Sequence, residues 1–183
     1  LTLMPRPVQD TIPIWYGGQS RKAIERSAEM ADAWSISPIE TVGKLSRGIE
    51  IYADELEKHD RHIEDVHVPL RREVYVAEDD ETAWEEVGPS LLYEYEDVYG
   101  DYDDIDHSFA SSSEESAIAE LRDHAEDRFI IGSPETAVQE LERYRDALNM
   151  DEVLLRMHFP GLDTDNSKKS MRLIAEEVMP HFE

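Results

Sequence analysis

The feature that most constrains this chain is an alternation. Four times, a short β-branched or aromatic run stands beside a stretch with helical periodicity. The first strand is expected at Ile12–Tyr16 and ends at Gly17-Gly18. Ser20 then offers an N-cap to a helix with Ile24, Ala28 and Ala31 on one face. The second strand spans Ala33–Ile36 and leads into Ser37-Pro38-Ile39-Glu40, which reads as a capping box with Pro at the first helical position. Its helix carries the stripe Val42, Leu45, Ile49, Tyr52, Leu56. The third strand covers Val66–Ala77, and the helix after it, Glu81–Tyr93, should break or kink at Gly88-Pro89. The fourth strand is Glu152–Met157. Before it, Ser133-Pro134-Glu135 opens a helix with Val138, Leu141, Tyr144 and Leu148 facing inward. A terminal helix runs from about Ser167 to Met179.

Strands alternating with helices give a parallel sheet with right-handed crossovers, the α/β class. Residues 1–183 read as a single domain, interrupted at 94–127 by an acidic, Tyr- and Ser-rich insertion that includes a short helix at Ser116–His124. Four strand–helix units do not close a barrel. The outer strands, Ile12–Tyr16 and Glu152–Met157, would be bare edges, which proteins ordinarily cover. Either a partner supplies the remainder or an upstream half is missing. A chain beginning at Leu1 favours the second expectation.

Charge narrows the functions available. Asp and Glu number 43 against 18 Lys and Arg, a net charge of -25 spread along all 183 residues. Such self-repulsion weakens a compact state unless salt screens it, so the surface is expected to be that of a halophilic protein. It argues against binding nucleic acid or anionic lipid. Without cysteine there is no disulfide framework, and no apolar run or signal peptide marks a membrane or secreted protein; a cytoplasmic location is expected. The seven His residues show no metal-ligand spacing, and no GxSxG elbow, Walker loop or GxGxxG occurs.

The segment with chemical content is Ile14-Trp15-Tyr16-Gly17-Gly18-Gln19-Ser20. A diglycine before a capped helix lets backbone N–H groups approach an anion, and the helix N-terminus adds its dipole. The plainer reading is a tight turn that binds nothing. Trp15 reads as barrel filling, whereas Tyr16, at the strand end, is the better placed to face a ligand.

Taken in order, Pro5-Arg6-Pro7-Val8-Gln9, IPIWYGGQS, SAEMADAWSISP, LRREVYVAEDDETAWEE, FIIGSPETAVQELERYRDALNMDEVLLRMHFPG and SMRLIAEEVMPHF resemble the luciferase-like monooxygenase superfamily from its fifth barrel strand to its final helix. The resemblance implies the last four βα units of a (β/α)8 TIM barrel, a half barrel with a parallel sheet. It implies a flavoprotein oxidoreductase binding FMN or the deazaflavin coenzyme F420 at the C-terminal strand ends, acting by hydride transfer or oxygen activation on a small-molecule substrate. By matching position, Tyr16, Gly17, Gly18, Gln19 and Ser20 would lie at the cofactor phosphate. Ser37 would reach the phosphate or ribityl chain, or simply cap its helix. Arg156, on the last strand, would contact cofactor or substrate, or form a structural ion pair. Arg71 and Arg72 lie early in their strand, where at least one should make a salt bridge. The resemblance names no catalytic residue and no metal. It also implies dependence on the missing N-terminal half or a homo-oligomer. The alternative is a half-barrel that binds flavin or pairs with a subunit without turnover.

Overall fold

A computed structural model describes residues 4–98, 113–148, 150 and 152–182. Its elements are β1 (Trp15–Gly17), α1 (Arg21–Met30), β2 (Ala33–Ser35), α2 (Val42–Glu57), β3 (Leu70–Val76), α3 (Asp80–Tyr93), α4 (Glu114–Ala125), β4 (Ile130–Gly132), α5 (Pro134–Leu148), β5 (Val153–Arg156) and α6 (Thr164–Leu173). Every strand pairing among the described residues is parallel, as the alternation requires. β1 pairs with β2, and β3 pairs with β5 along its first half and β4 along its second. A single parallel bridge, Ala33 to His67, joins the two sets. The strands do not close into a barrel. β1 and β5 each pair along one side only, as does the short β4, so β1 and β5 are free edges among the described residues.

Alternation along β3 sorts the interior. Leu70, Val74 and Val76 point into a core made with Ile24 and Ala28 of α1, Leu45, Tyr52 and Leu56 of α2, Tyr144 and Leu148 of α5, and Ile174 and Val178 after α6. Tyr75, between them, points the other way, into a second cluster with Trp84, Val87 and Leu91 of α3, Leu121 of α4, and Phe129 and Phe159. The sheet therefore has a helix-packed outer face and an inner face covered at one end by α3 and α4. Among the described residues no helix is long and apolar enough to cross a membrane.

Several local expectations are corrected. Ser37–Glu40 is not a capping box. Helix α2 begins at Val42 behind Thr41, and the Val42 N–H is capped instead by Asp127 Oδ2 at 3.0 Å. The carbonyls of Ser37, Pro38 and Glu40 turn inward to Arg72, at 3.4, 2.8 and 2.9 Å, which a helical start would prevent. Helix α3 continues through Pro89 without a break; a single lost N–H is tolerated where Val87, Leu91 and Leu92 are buried on both sides of it. β4 has no counterpart in the sequence reading, since three residues are too few for a periodicity to show. The short helix of the insertion is present as α4, capped by Ser113. The rest of the insertion, at 99–112, lies outside the described residues. The terminal helix starts at Thr164 behind Asp163, whose carboxylate accepts from the N–H groups of Asp165 and Asn166, and it passes into a π-turn at Ile174.

Candidate cofactor-phosphate site

Gly17 is the last residue of β1 and pairs with Ser35, the last of β2. The two following turns therefore leave the sheet side by side, at its C-terminal end. Gly18 takes φ +135°, and a Cβ there would come within 2.7 Å of the Ala23 Cβ. That position requires glycine on both conformational and steric grounds. The turn is hooked to the core by the Trp34 indole, which donates to the Gly18 carbonyl at 3.0 Å. Trp34 is fully buried and packs on Tyr52, with ring centroids 5.3 Å apart. Ser20 then caps α1: its hydroxyl accepts from the Ala23 N–H at 3.3 Å, and its carbonyl from Ala23 and Ile24.

The cap leaves donors over. Among the described residues the N–H groups of Gln19, Ser20, Arg21 and Lys22 meet no acceptor. Four open donors at the positive end of a ten-residue helix can receive an anion without any basic side chain. Ser37 stands on the neighbouring turn. Its hydroxyl accepts from the Ile39 N–H at 3.4 Å, a long bond that leaves the hydroxyl proton available. The side chain of Gln19 lines a cleft of about 210 Å³ with Glu40, Lys44 and Arg47, on the outer side of the same rim.

Tyr16 is placed differently from its sequence reading, and Arg156 takes one of the two roles left open for it. Tyr16 pairs in register with buried Trp34 and shares its outer face, and its hydroxyl accepts from Arg26 of α1 at 2.8 Å. It belongs to the helix-packed side rather than to the mouth of the turn. Trp15 takes the inner face and stays 42% exposed. Arg156 donates to Glu73 Oε1 at 3.0 Å and to Glu94 Oε1, with its guanidinium 5.2 Å from the Phe159 ring centroid. This is the structural ion pair that the sequence left open. Arg71 and Arg72, by contrast, make no ion pair among the described residues. Arg72 is buried and spends its charge on three backbone carbonyls and the Tyr144 ring. Sequence reasoning missed that Trp34 and Arg72 hold the two turns. The signal lay in three consecutive charged residues, Arg71, Arg72 and Glu73, inside the strand Leu70–Val76, where burial demands buried partners.

Residues 1–149 match the family model described as luciferase-like monooxygenase. The chain belongs to the luciferase-like monooxygenase family. No curated protein sequence matches it significantly. Among solved structures it is similar to the monooxygenase RslO1 from Streptomyces bottropensis, with a TM-score of 0.76 and 16% identity over 98% of this chain and 51% of that one. It is similar to the coenzyme F420 dependent tetrahydromethanopterin reductase from Methanopyrus kandleri, with a TM-score of 0.67 and 19% identity over 94% and 51%. A third is the oxygenating constituent of 3,6-diketocamphane monooxygenase from Pseudomonas putida, in complex with FMN, with a TM-score of 0.63 and 16% identity over 91% and 47%. This luciferase-like chain thus spans about half the length of the solved structures it matches, and it shares their fold over that half.

Proposed function

We propose that this chain forms the phosphate-binding half of a flavin- or deazaflavin-dependent oxidoreductase acting on a small organic molecule by hydride transfer or oxygen activation. The observation that carries the reading is the set of open N–H groups from Gln19 to Lys22, beside Ser37, at the C-terminal end of a parallel sheet. FMN and coenzyme F420 both present a phosphate, and the turn fits one: Gly17 leaves room on its Cβ side, with only the Ser35 carbonyl within 4 Å. In this assignment Gly17, Gly18, Gln19 and Ser20 act through backbone, and the Ser37 hydroxyl adds a side-chain donor. Tyr16 and Arg156 are left out because each is committed elsewhere. The bound cofactor would supply the electron chemistry; the protein's share is to hold and orient it. Relatives of this fold that carry FMN or depend on F420 support the choice of cofactor class.

Riboflavin, which lacks the phosphate, gives the decisive comparison. Two charge-assisted hydrogen bonds are worth about 1.5–3 kcal/mol each, so FMN should bind at least about a hundredfold more tightly than riboflavin. Titration of the intact protein, read by quenching of flavin or F420 fluorescence, measures this directly. Equal affinity for FMN and riboflavin removes the phosphate site. Failure of both FMN and F420 to bind removes the function. A second reading, a half-barrel that binds cofactor or pairs with a subunit without turnover, draws on the free edges of β1 and β5. Cofactor reduction or oxygen uptake by the intact protein separates the two.

A further inference from the structure

We propose that Asp127 is a positioning residue of the phosphate site: from the turn that ends α4 it fixes the exit of the Ser37 turn, and so sets where the Ser37 hydroxyl stands. This role rests on the phosphate reading above and ties the site to a residue far from it in sequence.

Asp127 sits in an unfavourable conformation. Glu126 at φ −53° and ψ 131°, Asp127 at φ +67°, and the Arg128 N–H donating to the Ala125 carbonyl at 2.9 Å make a type II turn behind α4. The third position of such a turn calls for Gly or Asn. Asp is held there against that preference, and a backbone kept in a sparsely populated region points to a task for the side chain. The carboxylate has two. Its Oδ2 accepts from the Val42 N–H at 3.0 Å, 85 residues back along the chain. Its Oδ1 accepts from Arg143 of α5.

Val42 is the first residue of α2, and the Ser37 turn delivers the chain to it. Helix α2 has no cap of its own: Thr41 makes no side-chain bond, and no acid stands in the first turn. The cap comes from the end of α4 instead. The Ser37 turn is thereby held at three places. It starts at the end of β2, in register with β1. Arg72 binds the carbonyls of Ser37, Pro38 and Glu40. Asp127 binds the exit. The last two clamps are joined to each other. Arg143, the partner of Asp127, lies 4.8 Å from the Tyr144 ring centroid, and Arg72 lies 4.5 Å from the same ring. The Asp127 carboxylate also supports the charge of buried Arg72. Freed at its exit, the turn would pivot about Arg72 and carry the Ser37 hydroxyl away from the N–H groups of Gln19 to Lys22.

Hydrogen exchange of the intact wild-type protein tests the clamp. The first N–H groups of a helix have no partner within it. With intrinsic rates allowed for, the Val42 N–H should exchange far more slowly than those of Gly43 and Lys44. Equal exchange of the three overturns the proposal whether or not any variant folds. Flavin titration tests the role. Asp127→Gly removes the clamp without strain, since Gly suits the left-handed region. Loss of the Ser37 bond to phosphate should lower FMN affinity about tenfold or more, as Ser37→Ala does, while riboflavin affinity holds. The two losses should not multiply in the double variant, because both remove one bond. Asp127→Asn suits the same turn and keeps an oxygen for Val42, so it should bind FMN as the wild type does. Unchanged FMN affinity in Asp127→Gly, no rescue by Asp127→Asn, multiplying losses, or an equal fall in riboflavin affinity each overturns the proposal. A wild-type protein that binds FMN no more tightly than riboflavin removes the phosphate reading itself, and this role with it.

Discussion

Replacing Gly18 by Ala perturbs the turn at its most constrained point. The residue sits at φ +135°, a region that L side chains rarely adopt, and holding Ala there costs about 1–3 kcal/mol. The new Cβ would lie 2.7 Å from the Ala23 Cβ, with the Ala23 N–H tied to Ser20. Relieving that contact means shifting the first turn of α1, and overpacking of this kind costs a further ~1–3 kcal/mol. The Gly18 carbonyl is also held by Trp34, so the turn cannot rotate away freely. A loss of roughly 2–6 kcal/mol is expected, which for a chain of this size lowers the melting temperature by on the order of 10 °C. Gly17→Ala is the matched control. It has no positive φ, and its nearest foreign atom is the Ser35 carbonyl at 3.9 Å, so a change within about 1 kcal/mol is expected. Urea and thermal denaturation of the intact protein at fixed molar salt provide the assay. Equal stability of the two variants, or a larger loss from Gly17→Ala, would refute the geometry on which the proposed phosphate turn rests.

Arg72→Met keeps the volume but leaves the carbonyls of Ser37, Pro38 and Glu40 without their donor; a loss of about 3 kcal/mol or more in urea unfolding is expected, and a neutral result would mean that Arg72 does not hold the Ser37 turn. With a net charge of -25, the melting temperature should climb from dilute buffer to molar KCl, and a flat profile would sink the halophilic reading of the surface.

The period of the two longest helices was legible in the sequence, because a helix that buries one stripe must repeat it. Leu45, Tyr52 and Leu56 mark α2 for that reason, and Tyr144 and Leu148 mark α5. Strand direction followed from the alternation alone. What stayed hidden depends on contacts between distant residues. Ser37-Pro38-Ile39-Glu40 has every local mark of a helix start, yet Arg72, some thirty residues on, claims its carbonyls. Tyr16 illustrates the same limit. Its place at a strand end suggested a ligand, but the parity of the β1–β2 register assigns it to the face of Trp34 and α1. The glycine turn and the Ser20 cap were legible because they rest on residues adjacent in the chain.

The tether between Arg72 and the Ser37 turn has a consequence for a protein so rich in exposed acid. Its bonds run from a buried guanidinium to uncharged carbonyls, and the neighbouring Gly18 turn hangs on a neutral indole. Neither joins two charges, so screening by mobile ions weakens them little. The ion pairs of the outer helices, such as Arg21–Glu25 and Lys168–Asp165, are open to solvent and vary with its ionic strength. The molecule is thus divided into a periphery whose ion pairs respond to ionic strength and a frame around the two turns that rests on uncharged partners. Dilution would slacken the outer helices first, while the spacing of the turns held until the core itself gave way.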